Sequence, residues 1–286
     1  MKSYFLCLFL FTAATMLAQS DPQPYALFTE SGKRGKYKKL FRAAREADVI
    51  LFGESHNSAI AHWLQHVLLR DLAEEGSVTL GLEMFETDQQ VALNAYLSGQ
   101  GELKDIDGIG SGLWNNFKTD YQPAVEFMRE EGYPVVATNT PRKYARLVFR
   151  QGFGSLDSLP AAEKTLLPPL PIPYDANLPG YVRMLEMMPG GHGGETFPMA
   201  QAIKDATMAH FIVQNREAGR PFLHLNGSYH SDDFEGIGWY LQQYAPELEV
   251  ITISTVEQAN VNNLAEEHQG KAHFIIAVPQ LMTTTY

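Results

Sequence analysis

Six short apolar runs, separated by segments with helical periodicity, constrain the fold more than any other feature of the chain. The runs are β-branched or aromatic in character and are bounded by polar or glycine-containing turns, as buried strands are. They cover residues 48–52, 78–83, 134–139, 221–225, 248–254 and 273–278, and the helical segments cover 58–75, 88–98, 121–131, 141–152 and 199–218. Because such alternation produces parallel sheets covered by helices, we predict an α/β protein with a mostly parallel central sheet and helices on both faces.

Residues 155–198, hereafter the lid, interrupt this alternation. Prolines cluster between positions 160 and 179, methionines follow at 184, 187 and 188, and residues 190–194 read Gly-Gly-His-Gly-Gly. Loops of this length in a compact domain are usually functional lids or binding loops, or else they are disordered. The apolar and aromatic content favours an ordered lid, inserted into a single domain that spans residues 21–286.

The first twenty residues are predicted to be a signal peptide. Lys2 supplies a short basic start, residues 4–17 are almost wholly apolar, and Ala18-Gln19-Ser20 presents small residues at the spacing of a cleavage site. The apolar stretch is short for a membrane span and polar sequence follows it directly. We therefore expect export to the periplasm or the medium, with cleavage near Ser20.

Cys7 and the net charge exclude several kinds of chemistry. Cys7 lies inside the apolar region without small residues before it, so no lipid anchor is expected there. It is also the single cysteine, so a cleaved chain has no disulfide and no thiolate ligand. The formal charge of -11 opposes binding of nucleic acid, which calls for a basic surface.

The first candidate site residues follow the strand at residues 48–52. Glu54 and His56 are two positions apart, so in extended backbone both side chains point the same way. Such a pair can bind a metal ion or divide the roles of general acid and base. A purely structural interpretation is equally open, in which Glu54 caps the following helix and His56 is a hydrogen-bonded turn residue.

Glu83 and His230 follow two other predicted strands. Glu83 closes an apolar segment, so its carboxylate should be paired, either as a metal ligand or general base or in a salt bridge. Gly227 and Ser228 make a turn that carries His230 beyond its strand, whereas His224 lies within the strand and is expected to be a core residue. Ligands bind at the carboxyl ends of strands in open α/β sheets, so Glu54, His56, Glu83 and His230 are predicted to form a catalytic or divalent-metal site.

Three neighbouring helices add further candidates. His62, Gln65 and His66 share one face of the helix at 58–75, and a role in the site is favoured for His62 but not for His66. Thr140 is predicted to cap the helix at 141–152, with Pro141 at its first position and Arg142 either binding an anion or lying free on the surface. Lys204 and Asp205 either reach the site or form a pair on the surface.

Taken together, these motifs resemble the ChaN family of haem-binding, iron-uptake-associated exported proteins, which is grouped with the Tiki and erythromycin-esterase superfamily. The similarity spans residues 47–240 and follows five matching stretches: Gly53-Glu54-Ser55-His56-Asn57 with His62 and Gln65, Gly81-Leu82-Glu83-Met84-Phe85, Asn139-Thr140-Pro141-Arg142, residues 201–209, and Asn226-Gly227 to His230. Five stretches in the right order are far more specific than any one motif.

The resemblance implies haem as cofactor, held with tyrosine or histidine on the iron. Tyr181, Tyr174 or His192 in the lid would be the axial ligand, with Arg142 or a histidine such as His62 at the propionates. It also implies two possible partners, a second copy of the chain and outer-membrane haem-uptake machinery. Two alternatives stay open: a metal-dependent hydrolase that uses the strand-end residues, and an exported binding module without chemistry.

Overall fold

The computed structural model describes residues 21–187 and 194–286, and its centre is a sheet of seven strands. In chain order the strands are β1 (Ala26–Thr29), β2 (Val49–Glu54), β3 (Thr79–Glu86), β4 (Val135–Asn139), β5 (Phe222–Gly227), β6 (Val250–Gln258) and β7 (Phe274–Pro279). Their order across the sheet is β1-β7-β6-β2-β5-β3-β4. All neighbouring pairs are parallel except β1 with β7.

Strand β1 is the sheet element that the apolar pattern did not predict. It has four residues and pairs antiparallel with β7, Ala26 opposite Ala277. A strand this short carries too little periodicity to stand out, and an edge strand gains most of its stability from its partner. The other six strands were predicted, and the mostly parallel α/β sheet is confirmed.

Ten α-helices surround the sheet within the described residues. They are α1 (Tyr37–Glu46), α2 (Ala59–Glu75), α3 (Gln90–Leu97), α4 (Leu103–Asp107), α5 (Gln122–Glu131), α6 (Arg142–Gln151), α7 (Ala161–Lys164), α8 (Pro179–Glu186), α9 (Thr196–Asn215) and α10 (Ile237–Tyr244). Helices α1, α4, α7, α8 and α10 were not among the predicted helical segments. Helix α1 is rich in lysine and arginine and buries only Leu40 and Ala44, so its apolar stripe is narrow.

Two buried apolar clusters hold the helices on opposite faces of the sheet. One joins strand residues such as Phe52 to helices α1 to α5, and the other joins residues such as Leu51 to α6, α8, α9 and α10. Because side chains alternate along a strand, these neighbouring residues of β2 enter different clusters. Burial of apolar surface on both sides is the main source of stability for such a layered fold.

The lid is described at residues 155–187 and 194–198, and the first of these stretches is packed against the second cluster. It contributes the buried side chains of Leu156, Leu167 and Ile172, and it contains the short helices α7 and α8. Residues 188–193, which include His192, lie outside the described residues, as do residues 1–20 with the predicted signal peptide and Cys7. Across the described ranges, we find no helix with both the length and the apolar character that crossing a membrane requires.

Candidate functional site

The site begins where three adjacent strands end. Strand β5 lies between β2 and β3 in the sheet. Glu54 at the end of β2 and Gly227 at the end of β5 are register partners. Strand β3 pairs regularly with β5 only as far as Leu82, and its register with β4 shifts between Leu82 and Glu86. Such an irregularity re-aims side chains, and here it accompanies a hydrogen bond of 2.7 Å from the backbone N–H of Gly227 to Oε2 of Glu83.

Glu54 is the centre of a buried hydrogen-bond network. Its carboxylate accepts hydrogen bonds from Nδ1 of His56 at 3.0 Å, from Nε2 of Gln65 at 2.5 Å and from the Tyr121 hydroxyl at 2.5 Å. Burial favours the neutral carboxyl, but donors that include His56, His62 and Tyr121 outweigh it and lower the pKa of Glu54. The helix cap belongs to Ser58, whose hydroxyl accepts from the N–H of Ala61. Glu54 therefore orients His56 and does not cap the helix.

His62 joins this network through contacts with Glu54 and Asp120. The ring is buried, with Nδ1 3.3 Å from Oε2 of Glu54 and Nε2 3.3 Å from Oδ2 of Asp120. Burial opposes the charged ring, yet Glu54 and Asp120 raise the pKa of His62 above its ordinary value. His62 contacts the carboxylate that holds His56 and does not line the large cavity described below.

A second histidine lies between two buried carboxylates. Nδ1 of His230 donates to Oδ1 of Asp205 at 2.5 Å, and its Nε2 lies 3.2 Å from Oε1 of Glu83. Burial lowers the pKa of an imidazole, but the charges of Glu83 and Asp205 prevail and raise the pKa of His230 to about 10. The ring is therefore protonated at neutral pH, and both of its nitrogens are engaged.

Three of these residues line a cavity of about 550 Å³, hereafter the main cavity. Its volume is within the usual range of small-molecule sites. Its floor contains His56, Glu83 and His230. Its apolar and aromatic lining comes from Trp114, Ala145, Phe149, Phe197 and Ala200. The Trp114 and His56 rings lie edge to face with centroids 4.8 Å apart, so this aromatic wall adjoins the imidazole.

Three cations also line the main cavity: Arg142 and Arg146 from α6, and Lys204 from α9. In the described part of the chain no ion pair involves any of the three. Since the floor already carries buried carboxylates with their own partners, these cations are available to an anionic ligand. This arrangement is consistent with the predicted anion-binding role of Arg142.

Two polar atoms in the wall of the main cavity have no hydrogen-bond partner among the described residues: Oδ1 of Asn139 and Oγ1 of Thr140, both buried. Thr140 was predicted to cap α6, and this is wrong. The helix begins at Arg142, its N-cap is Pro141, and no side chain caps it. A buried polar atom without a partner is costly, so each of these atoms would gain stability from a hydrogen bond to a water molecule or a ligand.

The tyrosines of the lid are not equivalent. Tyr181 is buried, and its hydroxyl faces Oδ2 of Asp205 at 3.5 Å. Burial and the Asp205 charge raise the pKa of Tyr181 well above its usual range. Tyr174 is half-buried and stacks on Tyr181, with ring centroids 5.4 Å apart. Neither ring lines the main cavity, and His192 lies outside the described residues.

The lid is bonded to the segment that carries His230. The backbone N–H of Gly180 donates to Glu235 at 2.6 Å, and the hydroxyl of Tyr229 donates to the carbonyl of Gly180 at 3.0 Å. Arg183 forms an ion pair of 2.6 Å with Asp233. Helix α8 is thus attached on both sides of His230 in the sequence.

A divalent-metal site at Glu54, His56, Glu83 and His230 receives no support. Across residues 21–187 and 194–286, no group of three His, Cys, Asp or Glu side chains could hold a metal ion. The reason is visible in the geometry, since both ring nitrogens of His230 are engaged by carboxylates. What the four residues form is two carboxylate–histidine pairs.

Comparison with known proteins identifies the family of the chain. Residues 40–241 match the family of haem-binding uptake proteins named ChaN, within the Tiki superfamily. The chain belongs to this family. The ChaN match covers all four strand-end residues, both carboxylate–histidine pairs and the three cations of the main cavity.

Two solved structures have a similar fold. A structure of Campylobacter jejuni ChaN with cofacially bound haem aligns with a TM-score of 0.65 at 16% identity, covering 88% of this chain and 96% of that one. A Bacillus cereus protein aligns with a TM-score of 0.50 at 13% identity, covering 85% and 90% respectively. At such low identity these alignments show the fold.

One curated relative is the chloroplastic protein RETICULATA-RELATED 5 of Arabidopsis thaliana. It is 24% identical over 153 residues, which is 51% of this chain. The match covers 20% of the length of the plant protein, so this chain corresponds to about a fifth of it.

Proposed function

We propose that this protein binds haem in the main cavity. The observation that carries the proposal is what one cavity of a ChaN-family chain combines: three aromatic side chains and, among the described residues, three cations without ion pairs and two buried polar atoms without partners. Haem has the matching parts: an apolar macrocycle, anionic propionates and an iron that accepts nitrogen or oxygen ligands. The residues present fit the group.

Each part of haem has a counterpart in the lining. Trp114, Phe149 and Phe197 offer aromatic surface for the macrocycle, which favours flat ligands. Arg142 and Lys204 offer positive charge for the propionates, and an arginine can hold a carboxylate through two parallel hydrogen bonds. Burial of the macrocycle would then supply most of the affinity and the cations its orientation.

His56 is the iron ligand that the geometry favours within the main cavity. Its Nδ1 donates to Glu54, which leaves Nε2 as the nitrogen available to a metal, and a third of the side chain is exposed. A carboxylate behind a ligating histidine fixes the tautomer and raises the basicity of the ring. Tyr174, Tyr181 and His192 are the alternative ligands on the lid side.

A titration of the purified protein with haemin tests this proposal. We expect a saturable shift of the Soret band for the wild type and a changed spectrum for His56→Ala. His66→Ala is the matched control, because His66 lies on α2 against Phe127 and does not line the main cavity. No saturable shift in the wild type would refute haem binding. A changed spectrum in Tyr174→Phe, Tyr181→Phe or His192→Ala, but not in His56→Ala, would move the ligand to the lid.

Binding should also depend on pH. Burial lowers the pKa of His56, but the neighbouring Glu54 and Glu83 outweigh it and raise the pKa above its ordinary value. Iron binding to Nε2 has to displace a proton, so haemin affinity should rise with pH until His56 is neutral. An affinity that is independent of pH between 6 and 9 would count against His56 as the ligand.

We further propose that the protein is exported through residues 1–20 and acts in iron acquisition, with a second copy of the chain and outer-membrane haem-uptake machinery as candidate partners. The apolar segment with its small residues supports export, and membership of a haem-binding uptake family supports the role in acquisition. N-terminal sequencing of the mature protein should begin near Asp21. An unprocessed N-terminus would refute the predicted cleavage. Sedimentation of the protein with and without haemin tests whether two copies of the chain associate.

A second candidate function is hydrolysis by acid–base catalysis. The observation that favours it is that His230, held between Asp205 and Glu83, lines the same cavity as His56. The two imidazoles have different partners and can therefore take different roles in catalysis. His56 can accept a proton when neutral, and the charged ring of His230, which Glu83 and Asp205 hold in place, can stabilise negative charge that develops on a substrate. Release of acid from a panel of small esters, lost in His230→Gln and kept in His66→Ala, would support this activity.

A further inference from the structure

The segment that follows β7 folds back onto the loop that carries His56. Thr284 forms an isolated antiparallel bridge with Ser58, and the backbone N–H of Thr285 donates to the carbonyl of Asn57 at 3.0 Å. Residues 57 and 58 come directly after His56 and directly before α2. The segment 283–286, hereafter the tail, is therefore attached at the edge of the site.

A side-chain network links the tail to His56 itself. The Thr285 hydroxyl donates to Oδ2 of Asp120 at 2.7 Å, and the same oxygen accepts from Nδ2 of Asn116 at 2.7 Å. That amide also donates to the carbonyl of His56 at 2.9 Å. Because Asp120 and Asn116 are buried, these bonds are shielded from water and hold the tail in a defined position.

The tail forms one wall of a second cavity. This cavity, hereafter the annex, has a volume of about 320 Å³, and its lining includes Tyr286, Ser111, Leu113 and Asn115. Trp114 and Arg142 line both the annex and the main cavity. A ligand in the main cavity can therefore extend past these two side chains into the annex.

We propose that the annex binds a carboxylate group of the ligand whose flat body occupies the main cavity. Arg142 is exposed, and among the described residues it takes part in no ion pair, so its guanidinium is available. The Tyr286 hydroxyl and the polar side chains of Ser111 and Asn115 add neutral donors around it. A guanidinium group can hold a carboxylate through two parallel hydrogen bonds, and neutral donors beside it can add further ones.

This proposal rests on the proposed haem function, for which the carboxylate is one propionate. It assigns a role in ligand binding to the tail, and to Tyr286 in particular. None of the strand-end motifs includes these residues. Trp114 would separate the apolar part of the ligand from its charged end. The tail would act on recognition of the propionate and leave contacts to the macrocycle unchanged.

Haemin and haemin dimethyl ester, in which both propionates are blocked, are the two probes. We expect the wild-type protein to bind haemin more tightly than the ester. Arg142→Gln should weaken haemin binding about tenfold, since a hydrogen bond to a charged group is lost, and should leave binding of the ester unchanged. Tyr286→Phe should have a smaller effect in the same direction. Arg150→Gln is the matched control, because Arg150 is an exposed cation of α6 that lines neither cavity.

The outcomes separate this proposal from the haem function. If the wild type binds haemin and the ester equally well, or if Arg142→Gln and Tyr286→Phe weaken both probes equally, the annex proposal is refuted while haem binding stands. If the wild type binds neither probe, the proposed haem function itself fails. Both side chains are exposed, so neither substitution should impair folding, which circular dichroism would verify.

Discussion

Nδ1 of His230 donates to the carboxylate of Asp205 at 2.5 Å, although one residue lies on a loop after β5 and the other on α9. Glu83 approaches the opposite edge of the same ring. The imidazole is thereby held in its charged form between two buried carboxylates, and the ring stays protonated at neutral pH.

Asp205→Asn should lower the pKa of His230 from about 10 by at least about one unit, because the amide removes one of the two charges that stabilise the imidazolium. The titration of the His230 ring protons by NMR measures the change. Asp48→Asn is a suitable control, since Asp48 lies near Arg216, just before β2 begins at the opposite end of that strand from the site. An unchanged midpoint in Asp205→Asn would contradict the role given to this pair.

His230 should also make the protein less stable in alkali. Its pKa is raised above that of an unfolded histidine, about 6.5, so its contribution is fully present below that pH and is lost as the pH rises towards 10. The free energy of unfolding in urea should fall by up to about 1.4 kcal/mol per pH unit in this window. His230→Gln should lack this decrease in stability with pH, whatever the stability of the variant at pH 6. An identical decrease in both proteins would show that another group causes it.

His224 should produce the opposite effect on the acid side. The ring is fully buried, with Nδ1 donating to Asn226 and Nε2 2.8 Å from the Thr138 hydroxyl, and burial lowers its pKa to about 4. Below about pH 6.5 the unfolded chain takes up a proton that the folded ring does not, so stability falls as the pH decreases from 6.5 to 4. Urea unfolding of His224→Gln should show a weaker dependence on pH in this window, before the carboxylates titrate.

Gly227→Ala should displace His56. A Cβ at this position would lie 2.8 Å from Nε2 of His56, too close for the ring to stay in place. We expect a several-fold loss of haemin affinity and an altered spectrum, because His56 would no longer meet the ligand with the same orientation. Gly238→Ala is the matched control: its Cβ meets nothing within 4 Å, and alanine should stabilise α10 by about 1 kcal/mol. Wild-type haemin binding by Gly227→Ala would contradict the placement of His56.

Thr140→Val should separate stability from binding. The buried Thr140 hydroxyl has no partner among the described residues, so an isosteric methyl should leave the unliganded protein as stable or more stable. Haemin binding should weaken by about two- to tenfold if the ligand supplies the missing partner. Thr79→Val replaces another buried hydroxyl, at the start of β3, that has no partner within the described ranges, and this substitution should leave binding unchanged. A large loss of stability in Thr140→Val would show that the hydroxyl is already bonded.

The strands were the easiest part of this molecule to predict from sequence. Buried parallel strands are continuous apolar runs, and polar residues such as Glu54 and Glu83 at their ends stand out against them. The boundaries were less accurate. Strands β2, β3 and β6 continue past their apolar runs, because backbone pairing with a neighbour does not depend on apolar side chains.

The partners of the site residues were harder to predict. Tyr121 bonds to Glu54, and the adjacent Asp120 pairs with His62, although both lie far from these partners in the chain. Thr285 comes from a third distant part of the chain and bonds to Asp120. A sequence pattern reports the periodicity of one element at a time and carries no signal for such contacts. Asp205 was left between two interpretations for this reason.

The attachment of the lid through Gly180 and Tyr229 has a kinetic consequence. Tyr229 directly precedes His230, and Glu235, which holds the other bond to Gly180, follows it by five residues. Any opening of α8 has to break hydrogen bonds held by the same short loop that positions the charged imidazole. Detachment of α8 and displacement of the charged imidazole would therefore occur together, so the rate of either should depend on the strength of these bonds.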